Sequence, residues 1–285
     1  MPPTDRLQAM TMHALARFTV RYGADLRFAG RDLPRPRVVR TPTRHGVVRS
    51  FVYGSADAGG VAHVHFHGGA WLMRYPQMDD WWCRYLAATT GAEIWNVDFR
   101  TGPYVTYPVA QEQSHDVAAA VAGQRRAVSI GGFSSGGGIA ASVALQARDL
   151  GSFAPRLQVL GVPALDLASD LPTGAGMISP SLRALVRRVY FPDPATRSEP
   201  YASPLLAPDL SGLPPAVVLT GERDTLRRDG EAYARRLEDA GVPVVYDMTP
   251  GVDHYFLTED PGRARTTMAM IAHQISAHLA PVDSH

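Results

Sequence analysis

The sequence has no lysine, a single cysteine and no apolar run of membrane-spanning length. One cysteine, Cys83, excludes an internal disulfide framework and fits a reducing compartment. The N-terminal residues Met-Pro-Pro-Thr-Asp-Arg offer neither the basic segment nor the apolar core of a signal peptide. We therefore expect a soluble, cytoplasmic protein without a membrane span.

An excess of charge of either sign is also missing. The 28 basic side chains, all arginine, nearly balance the 27 acidic ones and leave a net charge of +1. Such a balance disfavours nucleic acid or an anionic membrane as the main partner. The 285 residues are enough for one large domain with a well-buried core, so we expect a single domain over residues 1–285.

Short apolar runs alternate with amphipathic segments along most of the chain. The apolar runs predict a hairpin of strands at 37–41 and 47–53, then strands at 61–66, 94–99, 128–131, 157–162, 216–220 and 244–248. The amphipathic segments predict helices over 5–22, 77–90, 109–122, 136–149, 226–240 and 261–279. This alternation indicates an α/β protein with a mostly parallel, twisted sheet of about eight strands, covered by helices on both faces.

Residues 163–214 interrupt the alternation. They are rich in proline and glycine and contain one clear helical pattern, around 181–190. Insertions of this kind often form lids or substrate walls, although a surface loop without a function remains the alternative. We expect a cap made of this insertion and the N-terminal residues, approximately 1–30 and 163–214.

A serine between glycines follows the strand predicted at 128–131. The sequence Gly132-Phe-Ser134-Ser-Gly136 has the G-x-S-x-G pattern of a nucleophile elbow, in which a strand turns sharply into a helix. Small flanking residues suit the strained backbone of such a turn. The pattern alone also fits an ordinary glycine-rich turn, so other parts of the sequence must distinguish the two interpretations.

A glycine loop follows the strand predicted at 61–66. His67-Gly-Gly-Ala70 resembles the HGGG-type loop of lipases and esterases, whose backbone N–H groups help to form an oxyanion hole. We predict an oxyanion hole of Gly68, Gly69, Ala70 and Ser135, with His67 holding the loop by hydrogen bonds. His63, His65 and His67 alternate as the start of a metal site would, but no second ligand cluster matches them, so we expect no metal.

Two further candidates each follow a predicted strand in the C-terminal third. Asp224 comes after the strand at 216–220 and His254 after that at 244–248, where an α/β sheet exposes functional groups. We predict Ser134 as nucleophile, His254 as base and Asp224 as the acid that orients it. The rivals, Asp229, His273 and His278, lie within predicted helices.

Taken together, the motifs resemble the hormone-sensitive-lipase-like branch of the α/β-hydrolase family. The matching segments are His67–Trp71, Val97–Arg100 with Pro103 and Tyr107-Pro108, the elbow, Asp224–Arg227 and His254–Phe256. The resemblance implies an α/β-hydrolase fold and a cofactor-free carboxylesterase that cleaves small or medium acyl and aryl esters through an acyl-enzyme on Ser134. It also implies a structural pair, Asp98 and Arg100, that orders the loop after its strand.

The chain departs from the family pattern at three positions. Ala70 replaces the third glycine of the loop, while Phe133 and Ser135 stand where the branch usually has an acidic residue and alanine. The His-Gly-Gly-x-Trp form also resembles arylformamidases on the same fold, so formamide or amide cleavage stays open. A non-hydrolytic cyclase, lyase or ligand-binding protein on this fold is the alternative of a different class.

Aromatic and basic residues give the remaining expectations about substrate. We predict pocket residues among aromatic side chains near the motifs, namely Trp71, Tyr75, Phe133, Tyr190, Phe191 and Tyr255. Arg183, Arg187 and Arg188 would suit an anionic substrate, but a solvated helix face is the favoured interpretation. The expected partner is a small ester or amide, and the sequence leaves a homodimer open.

Overall fold

Eight strands form one sheet in the computed structural model, which describes residues 1–20, 23, 25–54, 60–170 and 176–281. The strands are β1 (Arg37–Thr43), β2 (Gly46–Tyr53), β3 (Val61–Phe66), β4 (Glu93–Asp98), β5 (Ala127–Phe133), β6 (Gln158–Gly161), β7 (Ala216–Gly221) and β8 (Val244–Thr249). Their order is β1-β2-β4-β3-β5-β6-β7-β8. The β1–β2 and β2–β4 pairs are antiparallel and all others parallel. The predicted mostly parallel sheet is confirmed.

The helices lie between these strands. They are α1 (Pro3–Thr19), α2 (Asp80–Thr90), α3 (Val109–Ala122), α4 (Ser135–Leu150), α5 (Pro180–Val189), α6 (Arg227–Asp239), α7 (Phe256–Glu259) and α8 (Pro261–Leu279). The segment predicted as a helix over 77–90 begins as a 3₁₀ turn, Pro76–Asp79, before α2. The helix predicted over 5–22 ends at Thr19, and positions 21 and 22 lie outside the described residues. No helix in the described ranges is long and apolar enough to span a bilayer.

Hydrophobic clusters cover both faces of the sheet. Val64 and Phe66 of β3 belong to one cluster, and Trp81 and Cys83 of α2 belong to the other. Because side chains alternate along a strand, the buried His63 and His65 of β3 point away from Val64 and Phe66. His63 hydrogen-bonds to Ser129 at 2.9 Å and His65 to Asp79 at 2.8 Å, so each histidine has a partner within the core.

The two segments predicted to form a cap meet at an ion pair. Arg188 of α5 donates to Asp5 of α1, with 2.7 Å between Nε and Oδ2. Arg187 donates to the carbonyls of Leu167 and Ala168, and Arg183 is buried. The expected solvated face is therefore wrong for Arg183, which packs inside, and for Arg187, which ties chain segments together. Arg188 is solvent-exposed, as expected, while it pairs with Asp5. That the two segments act as a cap stays a prediction.

The start of α4 packs against the end of β3 at very short range. A Cβ built on Gly136 would lie 1.9 Å from the carbonyl oxygen of Phe66 and 2.7 Å from that of His67. Backbone atoms cannot yield to such a contact as a flexible side chain can. Residue 136 must therefore be glycine for the strand and the helix to meet.

We expect Gly136→Ala to destabilise the protein by about 3 kcal/mol or more, because backbone must move to admit the methyl group. Gly123→Ala is the matched control, since Gly123 has an ordinary φ of −65° and its nearest neighbour would be 3.6 Å from the new Cβ. Because alanine lowers the conformational entropy of the unfolded chain, Gly123→Ala should be neutral or stabilising by up to about 1 kcal/mol. Urea unfolding followed by tryptophan fluorescence measures both, and equal midpoints would contradict the contact.

Candidate active site

Ser134 occupies a strained turn between β5 and α4. Its φ of 56° and ψ of −121° are values that L-residues rarely adopt. Hydrogen bonds fix the turn: the Ser134 N–H donates to the Gly161 carbonyl at 2.8 Å, and its own carbonyl accepts from Gly138 and Ala164. The neighbouring Gly132 has no room for a Cβ, which would lie 2.4 Å from the Phe66 oxygen. The local geometry is that of the predicted nucleophile elbow.

Asp224 and His254 form a buried hydrogen-bonded pair. The distance from His254 Nδ1 to Asp224 Oδ2 is 2.8 Å, and their side chains are 5% and 0% exposed. The other carboxylate oxygen of Asp224 accepts from the Leu226 N–H at 2.9 Å. The aspartate thus has a fixed orientation, and an ionised Asp224 selects the histidine tautomer with its proton on Nδ1.

Asp253 anchors the loop that carries His254. One of its carboxylate oxygens accepts from the His254 N–H at 2.7 Å, and the other from the Met177 N–H at 3.0 Å. Asp253 therefore links the histidine loop to the insertion at 163–214. Its position next to the histidine gave no signal of this role, since the partner lies 76 residues away in the chain.

Ser134 and His254 line one cavity of about 130 Å³. In this conformation the two described side chains make no hydrogen bond to each other, and such contacts commonly tighten only when substrate binds. Most of the lining is apolar, with Val162 and Ile178 and the methionines Met12, Met73, Met78 and Met177. The sequence did not predict that these methionines line the cavity, because nothing in their spacing connects them with one another.

Two backbone N–H groups of the glycine loop take no part in the loop's own hydrogen bonds. Gly69 and Ala70 have φ of 115° and 55°, and the Gly69 carbonyl accepts from Leu72 and Met73. Within the described chain, the N–H groups of Gly69 and Ala70, and that of Ser135 at the start of α4, donate to no protein acceptor. Unpaired N–H groups beside a nucleophile are what a developing oxyanion requires.

Gly68 lies closest to the nucleophile among the loop residues. A Cβ added there would be 3.6 Å from the Cβ of Ser134. Its carbonyl accepts from His67 Nδ1 at 2.7 Å. Gly68, Gly69, Ala70 and Ser135 are thus brought together as the sequence predicts, and their role as an oxyanion hole stays a prediction.

His67 supports the loop from inside the protein. Its ring stacks on Phe99, with 4.3 Å between ring centroids, while Nδ1 donates to Gly68. Burial lowers the pKa of His67 to about 4, so the ring is neutral near pH 7. A neutral ring with its proton on Nδ1 is the tautomer that this contact needs.

Asp98 holds the far side of the same loop. It accepts from Arg74 at 2.7 Å and from Arg49 at 2.7 Å, whereas the Arg100 backbone N–H donates to Gln113. The expected pairing of Asp98 with Arg100 is therefore wrong. The reason lies in register, since β2 runs antiparallel to β4 and places Arg49 directly opposite Asp98.

The aromatic residues predicted to line a pocket divide into two groups. Phe133 and Tyr255 line the 130 Å³ cavity, and Trp71 lines a second, smaller one beside Ser134. Tyr190 and Phe191 are fully buried against Trp71, at ring distances of 6.3 and 5.3 Å, and belong to the lining of neither cavity. Tyr75 is likewise in neither lining. Tyr190 is instead held by the Ala110 N–H and Gln111.

The rival residues have other partners. Asp229 accepts from the backbone N–H groups of Leu165 and Asp166, and burial raises its pKa to about 6. His278 bonds to the Gln274 carbonyl within α8. Among the described residues, no group of three histidine, cysteine or acidic side chains could hold a metal ion.

Comparison with known proteins gives consistent matches. A family model described as the alpha/beta hydrolase fold matches residues 63–258. The arylesterase of Saccharolobus solfataricus is 33% identical over 231 residues, which cover 73% of this chain and 72% of that protein. The ethyl acetate hydrolase of Pseudomonas putida is 31% identical, covering 77% of this chain and 74% of that one. The Pyrobaculum calidifontis esterase structure superposes with a TM-score of 0.79 at 32% identity, covering 96% and 92%.

The depressed pKa of His67 predicts a loss of stability in mild acid. Its folded pKa of about 4 lies below the ordinary 6.5, so the unfolded chain takes up the proton first. The neutral His67 ring makes its full contribution to the free energy of unfolding above pH 6.5. This contribution is lost, by up to about 3 kcal/mol, as the pH falls to 4. Urea unfolding at pH 7 and pH 4.5 measures this, and His67→Phe should reduce the difference. An unchanged difference would mean that His67 is not the group responsible.

Proposed function

The chain belongs to the esterase branch of the α/β-hydrolase family, and we propose that it hydrolyses small or medium carboxylic esters through an acyl-enzyme on Ser134. The observation that carries the proposal is one cavity lined by Ser134 and His254, with Asp224 hydrogen-bonded behind the histidine. A carboxylesterase needs these three groups in this order of contact. The elbow also leaves Ser134 at the cavity surface and not in the core.

In the first half-reaction, Ser134 Oγ attacks the ester carbonyl carbon while His254 Nε2 takes the hydroxyl proton. Asp224 accepts from Nδ1–H throughout and stabilises the imidazolium as it forms. The tetrahedral intermediate collapses when His254 returns the proton to the alkoxy oxygen. The alcohol then leaves, and the acyl group remains on Ser134.

The negative oxygen of that intermediate would be bound by backbone donors. The N–H groups of Gly69, Ala70 and Ser135 donate to no acceptor in the described chain and belong to residues that line the cavities at Ser134. One such donor typically contributes about 10²- to 10³-fold in rate. Ala70 supplies the same N–H as the glycine it replaces. His254 then deprotonates a water molecule, which attacks the acyl-enzyme. When the second intermediate collapses, His254 returns the proton to Ser134 Oγ and the acid leaves, so the cycle draws only on side chains, backbone and water.

The cavity size favours short or single-ring substrate groups. Its volume of about 130 Å³ is close to that of an engineered cavity of about 150 Å³ that binds benzene. Methionines in the lining adapt their shape to different apolar groups. The relatives named arylesterase and ethyl acetate hydrolase fit this range of small esters. Formamides would enter the same site, and N-formylkynurenine is therefore included among the test substrates.

We also propose that the protein is cytoplasmic and forms a homodimer. Burial raises the pKa of the Cys83 thiol, which suits a cysteine kept reduced and unreactive. Strand β8 is at one end of the sheet and exposes Val245 and Tyr246, at 37% and 38%. Apolar residues on an open strand edge favour pairing with a second copy.

The proposed esterase should react with a fluorophosphonate probe and hydrolyse p-nitrophenyl esters of short acids. Ser134→Ala should abolish both, and turnover should fall as the acyl chain outgrows the space beside Ser134. Labelling that persists in Ser134→Ala would identify a different nucleophile. Faster cleavage of N-formylkynurenine than of any ester would favour a formamidase.

Asp224→Asn tests the orienting acid. An asparagine in this position favours the wrong histidine tautomer, so kcat should fall by about 10⁴-fold with little change in KM. Asp229→Asn is the matched control, because in the described chain Asp229 accepts hydrogen bonds from backbone N–H groups, and an amide oxygen can accept the same bonds. Steady-state kinetics on p-nitrophenyl acetate distinguish them. Equal losses in the two variants would contradict the assignment.

Light scattering after size-exclusion chromatography tests the homodimer. The wild type should have twice the mass of the chain, and Val245→Lys should reduce it to that of a monomer, because a charge on an edge strand opposes pairing. Val38→Lys, on the opposite edge strand β1, is the control and should remain dimeric. A monomeric wild type would overturn the proposal.

A further inference from the structure

A second cavity also adjoins the nucleophile. Its volume is about 30 Å³, and it is lined by Ala70, Trp71, Ser134, Ser135, Arg183 and Leu226, among others. Arg183 reaches it from α5 in the insertion, while Trp71 and Ser135 flank the glycine loop and the elbow. The cavity is therefore bounded by the proposed catalytic groups on one side and by an arginine on the other.

Three buried polar groups on residues that line this cavity have no hydrogen-bond partner among the described residues. They are Trp71 Nε1, Ser135 Oγ and Arg183 Nε, on residues that are 3%, 1% and 7% exposed. Buried polar atoms are nearly always paired, because an unpaired one forfeits its hydration without compensation. Three of them, on residues that line one small cavity, point to a common acceptor bound there.

The nearby acids are already engaged by other donors. Asp229 accepts from backbone N–H groups of the chain at 165–166, and Asp166 accepts from those of Ala168 and Ser169. Asp170 pairs with Arg187. None of them comes within salt-bridge distance of Arg183 in the described chain. Burial lowers the pKa of Arg183, while the charges of these acids raise it in part. An arginine nevertheless keeps its proton at neutral pH. The guanidinium thus stays charged and keeps donors available.

We propose that this cavity is a carboxylate-binding subsite and that the preferred substrates are monoesters of short dicarboxylic acids. A guanidinium and an indole N–H can only donate, and a carboxylate can only accept, with two oxygens for several donors. Arginine–carboxylate contacts are among the strongest hydrogen bonds in proteins. This proposal rests on the proposed esterase function and adds the class of acid that the site takes.

The geometry assigns the carboxylate to the acyl side of the ester. His254 must return a proton to the departing alcohol, so the alcohol leaves on the side that His254 lines, which is the 130 Å³ cavity. The second cavity adjoins Ala70 and Ser135, whose N–H groups would hold the acyl oxygen. Its small volume limits the acid to a few carbons between the two carboxyl groups.

The test compares hydrolysis of monoethyl succinate with that of ethyl butyrate, by the ethanol released. The wild type should have the higher kcat/KM for the half-ester, and Arg183→Met should lower the ratio of the two values by roughly 10- to 100-fold. Trp71→Phe, which keeps an aromatic side chain but removes the indole N–H, should lower it less. Arg188→Met is the matched control, since it removes a charge from the same helix outside the cavity and should keep the wild-type ratio.

Further substrates show whether the carboxylate belongs to the acyl or the alcohol part of the ester, and how far it lies from the ester carbonyl. Monoethyl malonate and glutarate vary the acid length, and acetoxyacetate places the carboxylate on the alcohol side. A preference for acetoxyacetate over monoethyl succinate would overturn the acyl-side assignment. Equal ratios in the wild type and Arg183→Met would overturn the subsite and mean that water alone satisfies the three groups.

Binding gives a readout that does not depend on turnover. Succinate should raise the unfolding temperature of the wild type and of Arg188→Met, and butyrate should raise it less. The Arg183→Met variant should lose the difference between the two acids, provided that its own unfolding is cooperative, and Trp71→Phe serves if it is not. Failure to hydrolyse any ester would overturn the proposed function, whereas equal shifts by succinate and butyrate in the wild type would overturn the subsite.

Discussion

The contact between the elbow and the end of β3 is the constraint on which the site depends. The backbone of Gly132 and Gly136 lies so close to the Phe66 carbonyl that neither position admits a Cβ. Because β5 and β3 are neighbouring parallel strands, this contact brings the turn at Ser134 next to the loop that leaves β3. The nucleophile and its proposed oxyanion donors are thus positioned by a single packing of backbone on backbone, before any side chain contributes.

The loop after β3 then needs support of its own, since glycine-rich backbone has a large conformational entropy to lose. His67 supports the loop from the core, through stacking on Phe99 and a hydrogen bond to Gly68. Asp98 supports it from the end of β4, through a hydrogen bond from Arg74. The first support relies on a His67 ring that burial keeps neutral, and the second on two guanidinium groups that donate to Asp98. Preorganisation of the backbone donors therefore follows from buried polar contacts that touch no substrate.

The sequence predicted the sheet, the helices and the order of the motifs, because hydrophobic periodicity and glycine requirements act locally. It did not predict which distant groups meet. The pairing of Asp98 with Arg49, and of Asp253 with the Met177 N–H, depends on strand register and on the path of the insertion. Tyr190, Arg183 and Arg187 differ from expectation for the same reason: spacing along a helix identifies its faces, but what covers each face is decided by the rest of the fold.

The two cavities at Ser134 differ in a way that bears on selectivity. One is wide, apolar and lined by adaptable methionines, so it discriminates weakly among the groups it accepts. The other is narrow and carries three polar groups without partners, so it penalises any group that cannot accept hydrogen bonds. Polar sites reject a substrate that lacks the matching group far more strongly than apolar pockets reject a missing methylene. Selectivity for the acid should therefore exceed selectivity for the alcohol, and it should reside in α5 and Trp71 and not in the catalytic residues.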